Sequence, residues 1–62
     1  MHPITRAELI AHIRATAERM AQTALLMQYY GGLGEIAEHG RQMEGASRIV
    51  HGWAEGIEKE QA

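Results

Sequence analysis

His2, His12, His39 and His51 are the side chains of this sequence best suited to hold a metal or move a proton at neutral pH. A helical metal site needs its ligands three or four residues apart, so that they share one face. No H-x-x-x-H or E-x-x-H pair occurs here. Cysteine is absent, which removes disulfides and thiolate zinc sites. No metal and no cofactor is therefore expected, and the histidines read as solvated surface groups. Nucleophilic catalysis needs an activated Ser, Cys or Thr beside a base. Ser47 is the sole serine, and its place in the apolar pattern below makes it a packing residue. Thr16 and Thr23 flank that pattern and read as packing residues or as donors to the carbonyl four residues back. The carboxylates fall mostly on exposed helical positions, without a cluster for acid–base work. Gly31-Gly32-Leu33-Gly34 could cradle an anion at a helix start. It lacks the preceding strand and the Lys of a phosphate loop, and reads better as a turn. The chain is expected not to be an enzyme.

The elements that position these residues are legible from the glycines. All seven lie at position 31 or later. The group Gly31, Gly32 and Gly34 predicts the turn of an antiparallel hairpin, since glycine takes the left-handed conformations that stop a helix. Before it, Thr5-Arg6-Ala7-Glu8 has the spacing of a capping box, with Ile4 and Leu9 at the positions of a hydrophobic staple. Ile10, Ile13, Ala17, Met20, Ala24 and Met27 then repeat at spacings of three and four, a heptad seam. Helix 1 is predicted over about 6–30, with Arg14 and Glu18 near enough to pair. After the turn at 31–34 the seam resumes as Leu33, Ile36, Gly40, Met43, Ser47, Val50, Ala54 and Ile57. Helix 2 is predicted over about 34–58, with the tail from Lys59 fraying. Folding back at the glycines pairs Met27 with Ile36, Met20 with Met43 and Ile13 with Val50. Between these large layers lie small ones: Ala24 with Gly40, Ala17 with Ser47, Ile10 with Ala54. The fold class is all-α: an antiparallel two-helix hairpin with heptad seams, assembling into a helical bundle.

Charge and length bound the partners. The net charge is −2, and the six Lys and Arg residues form no run. Duplex nucleic acid is not expected as a partner, because its binders carry a basic patch. The longest strongly apolar run, Ala24-Leu25-Leu26-Met27, is too short to span a membrane. Met1-His2-Pro3-Ile4 does not open a secretory signal. A cytoplasmic protein is expected, in a bacterial host if phage-encoded. A chain of 62 residues rarely buries enough apolar surface alone, so a homo-oligomer is expected.

Two surfaces remain unexplained by the seam. Leu25, Leu26, Tyr29 and Tyr30 spread apolar surface around the end of helix 1. In helix 2, Gly45, Gly52 and Gly56 form a stripe with Ile49, beside Trp53. Each interior helix glycine costs about 0.5–1 kcal/mol relative to alanine. A bare stripe beside one large aromatic suits close approach by another helix or a flat ligand; the alternative is a kinked helix. The candidate binding residues are Trp53, Arg48, His51, Ile49, Gly45, Gly52, Gly56, Tyr29 and Tyr30.

The stretch Gly45-Ala46-Ser47-Arg48-Ile49-Val50-His51-Gly52-Trp53-Ala54 resembles helix 2 of the phage anti-CBASS cyclic-nucleotide sponges. That family's pattern is a glycine, an aliphatic pair, a basic residue, a small residue and another aliphatic. Gly45, Ile49-Val50, His51, Gly52 and Trp53 stand at those positions. His51 replaces an arginine and Trp53 a smaller aliphatic residue. The resemblance implies an oligomeric, non-enzymatic protein that sequesters a cyclic nucleotide; for such a ligand, stacking chemistry would put Trp53 or a tyrosine of Tyr29–Tyr30 on a base and Arg48 on phosphate. Three readings stay open beside it. One is an adaptor or inhibitor that binds a host protein through the Trp53–glycine face. Another is a purely structural oligomerisation hairpin. The third, an RNA-hairpin binder of the plasmid copy-number type, sits poorly with the acidic net charge.

Overall fold

A computed structural model describes residues 3–30 and 34–60 of the chain. Two helices, α1 (Arg6–Tyr29) and α2 (Glu35–Lys59), pack antiparallel against each other. The pair measures 46 × 26 × 12 Å between Cα extremes, a single layer of helix. The hairpin and its heptad seams are thus observed. α2 runs one residue past its expected end and includes Lys59, whose place in the last turn suits the helix dipole. Gly31, Gly32 and Leu33, and with them most of the expected turn, lie outside the described residues, as does His2.

The two helices begin differently. Thr5 caps α1 with both bonds of the capping box: the Glu8 amide donates to Thr5 Oγ1 and the Thr5 amide to Glu8 Oε1, each at 3.1 Å. The bond from the Thr5 backbone, then that with its side chain, holds the Glu8 carboxyl below its ordinary 4.5. α2 starts at Gly34 without a side-chain cap. Gly34 has φ 89°, a conformation that L side chains rarely adopt, and its carbonyl accepts from the Glu38 amide at 3.2 Å. Glu35 and Glu38 fill the first turn, where acidic groups suit the dipole. Glu38 is held below 4.5 chiefly by its hydrogen bond from Arg41.

The seam follows the expected pairing, but its small layers make the core. Ile10, Ala17 and Ala24 on α1, with Gly40, Ser47 and Ala54 on α2, are the buried residues. Ala24 and Ala54 are wholly covered. At Gly40 the helices touch through their backbones: a Cβ there would lie 2.9 Å from the Ala24 carbonyl oxygen. Ser47 donates to the Glu44 carbonyl at 2.6 Å, so burial leaves its hydroxyl satisfied.

Ile13, Met20, Met27, Met43, Val50 and Ile57, expected as core layers, are only half-buried, and Ile36 is exposed. No large side chain among the described residues is fully buried. The cause is the small layer itself. Helices drawn together at Ala, Gly and Ser leave no room between them for the methionines, and the layers of Met20, Met27 and Met43 are displaced to one side of the seam. Arg14 pairs with Glu58 across the helices at 2.8 Å, rather than with Glu18. On so narrow a seam a guanidinium reaches the opposite helix.

Candidate functional site: the open face of the hairpin

A helix turns about 100° per residue, so the neighbours of the seam can be assigned to sides. In α1, Arg14, Ala21 and Gln28 flank the buried line on one side, and Ile13, Met20 and Met27 on the other. In an antiparallel pair, equivalent flanks of the two helices fall together. The polar flank joins by Arg14–Glu58 and by Gln28 Nε2 donating to Glu44 Oε1 at 3.0 Å. The other flank brings together Ile13, Met20 and Met27 of α1 with Ile36, Met43 and Val50 of α2. Leu9, Thr16, Thr23 and Tyr30 widen it along α1, and Ala46 and Trp53 along α2. A shallow apolar groove between Thr23, Leu26, Met27, Tyr30 and Ile36 marks its end near Gly34. Its volume is about 200 Å3, below the roughly 300–1,000 Å3 of small-molecule pockets. A larger depression of about 470 Å3, lined by Ala7, Ile10, Ala11, Arg14 and Glu58 among others, lies on the ion-pair side.

Trp53 is 61% exposed and borders the open face, and Ile49, 59% exposed, lies just beyond it. Arg48 and His51 are elsewhere. Trp53 follows His51 by two residues and Arg48 by five, turning it roughly 200° and 140° from them. Arg48 and His51 line a small depression with Ala17, Glu18, Ala21 and Ser47 on the ion-pair side. Arg48 Nη2 lies 3.0 Å from Glu44 Oε2, and His51 Nδ1 is 3.4 Å from Glu55 Oε1. Tyr29 and Tyr30, 81% and 75% exposed, are at the Gly34 end of the hairpin. That is roughly 28 Å along the axis from Trp53 at 1.5 Å per residue. Within one chain, the nine candidate residues therefore form no single pocket.

Gly45, Gly52 and Gly56 sit on the outer surface of α2. A Cβ at any of them would meet nothing within 4 Å, so the hairpin itself does not use their smallness. Thr16 Oγ1 donates to the His12 carbonyl at 2.8 Å, the second of the two roles expected for it. Among the described residues, no three His, Asp or Glu side chains are grouped to hold a metal ion, and no helix is long and apolar enough to cross a membrane.

Sequence reasoning placed the two methionine layers inside the hairpin and so missed the open face. The signal was present: Leu26, Ile49 and Trp53 extend the apolar surface beyond the Met20 and Met43 flank, whereas the other flank carries Arg14, Gln28, Glu44 and Glu58. Comparisons with protein families, with curated proteins and with solved structures find no match for this chain.

Proposed function

We propose that this chain is a non-enzymatic binding module that works by docking the open face of its hairpin on other helices. The observation that carries the reading is the one-sided arrangement of half-buried Ile13, Met20, Met27, Met43 and Val50. Exposed Trp53, Tyr30 and Leu26 edge this face, while the ion pairs Arg14–Glu58 and Arg48–Glu44 lie on the other side. Contiguous apolar surface of this kind marks interaction sites. Methionine adapts its shape to a partner helix, and tryptophan is a frequent anchor of binding energy. Sequestration of a cyclic nucleotide requires more. Trp53 and Arg48 point to different sides of α2, so a base and a phosphate of one ligand would have to be held between two copies.

The test is site-specific photo-crosslinking in cells, with the reactive group at exposed Thr23 on the open face or at exposed Gln22 on the outer surface. Protein adducts are expected from position 23 and not from position 22. Equal labelling from both, or none from 23, overturns the reading. Native mass spectrometry with cyclic dinucleotides and trinucleotides runs in parallel. Nucleotide retained by the wild type and lost in both Trp53→Ala and Arg48→Ala would replace it with the sequestering one.

A further inference from the structure

We infer that the occupant of the open face is a second copy of this chain, and that two hairpins pack face to face as a four-helix bundle. The inference rests on the docking reading above and names its partner. Three observations carry it. The first is area. A folded monomer of 6.9 kDa exposes about 4,000 Å2 on the scaling of surface with mass, whereas this hairpin exposes 4984 Å2. The surplus of about 1,000 Å2 compares with the roughly 800 Å2 that each partner contributes to a standard interface.

The second is layering. Stable domains bury apolar faces between at least two layers of secondary structure, and this molecule is one layer, 12 Å thick. Among the described residues the buried apolar side chains are Ile10, Ala17, Ala24 and Ala54, too few to hold two long helices by hydrophobic burial. A second identical layer gives the face its missing side and converts the displaced methionine layers into core.

The third is charge. Along the centre of the face, Leu9, Ile13, Met20, Met27, Met43 and Val50 are uncharged; the charged or titratable groups around it, Arg19 beside Leu26, His39 near Gly34 and the ion pair Arg6–Glu60 at the remote end, stand at its edges. Two like faces meet at their centres without repulsion, the edge charges staying in solvent. A basic or acidic partner would find no complementary charge at the centre.

The experiment is sedimentation equilibrium of the purified full chain from 1 to 100 µM, with circular dichroism of each variant. The wild type is expected at twice 6.9 kDa, and a higher multiple overturns the two-hairpin bundle. Thr16→Arg and Thr23→Arg place cations on the face at exposed positions off the seam, so the hairpin itself is spared. Each is expected to weaken association at least 100-fold while helicity persists at high concentration. Gln22→Arg, on the outer surface, is expected to leave association unchanged. A wild type that stays at 6.9 kDa while unfolding cooperatively overturns the inference. So does association indifferent to Thr16→Arg and Thr23→Arg, or equally sensitive to Gln22→Arg. If the chain alone is monomeric but position 23 still crosslinks to a different protein, the second copy falls and the docking reading stands.

Discussion

Replacing Gly40 and Gly52 in turn by alanine sets two effects of one methyl group against each other. Both glycines are inside α2, so both substitutions gain about 1 kcal/mol of helix propensity. That term cancels in the comparison and leaves the steric one. At Gly52 the added Cβ meets nothing within 4 Å. At Gly40 it lies 2.9 Å from the Ala24 carbonyl oxygen, 2.9 Å from Gln28 Cγ and 3.0 Å from Met27 Cβ. Gln28 can swing aside, but the Ala24 oxygen belongs to the backbone of α1 and moves only if the helices part. Overpacking of this kind costs about 1–3 kcal/mol. Gly52→Ala is therefore expected to stabilise by about 1 kcal/mol. Gly40→Ala should be less stable than it by about 1–3 kcal/mol. The assay is thermal unfolding by circular dichroism at one fixed protein concentration, because any association makes the midpoint concentration-dependent. In a domain of this size each kcal/mol moves the midpoint by about 4–8 °C. A Gly40→Ala midpoint raised as far as that of Gly52→Ala would refute the reasoning, since it would mean that the backbones do not touch there.

Gly34→Ala is expected to lose about 1–3 kcal/mol although space is free around it, because φ 89° strains any L side chain; urea unfolding measures this. Ala24→Leu, at a wholly covered position, should lose at least about 1–3 kcal/mol through overpacking, and a smaller loss would show that the seam can open. Thr5→Ala should cost about 1 kcal/mol and return the Glu8 titration, followed by NMR, toward 4.5. Because Glu8 and Glu38 both titrate below 4.5 when folded, their contribution is complete above that value. It is lost only as pH falls through the lowered values, and an NMR titration of either carboxyl in the folded chain with its midpoint at or above 4.5 would contradict this. Arg14→Ala should change stability by less than about 1 kcal/mol despite the 2.8 Å ion pair, since both partners are solvated.

Much of the fold could be read from the chain because its signals are local or periodic. Thr5 and Glu8 specify their cap within four residues, and the seven-residue spacing of Ile10, Ala17 and Ala24 on α1 and of Gly40, Ser47 and Ala54 on α2 names every buried layer. What periodicity does not carry is depth. Heptad position says that Met20 and Met43 lie beside the seam, but whether they fill it depends on how far apart the helices stand. That distance is set by Ala17, Ala24, Gly40 and Ser47 acting across the pair. The candidate site was scattered for a related reason. Arg48, His51 and Trp53 are close in sequence, yet 100° per residue separates close positions more surely than it joins them.

The unequal starts of the two helices have a consequence for the order of events in folding. α1 has its cap and, between Arg6 and Tyr29, no glycine, so of the two helices it has the greater intrinsic helicity before tertiary contacts form. α2 begins at an uncapped Gly34 and carries Gly40, Gly45, Gly52 and Gly56, so alone it is a poor helix. Its helicity is conditional on a template, and α1 is the template within reach. Amide exchange should accordingly find α2 opening without α1 and not the reverse. The chain is then half scaffold and half responsive element, with Trp53 and the glycine stripe on the half whose order depends on company.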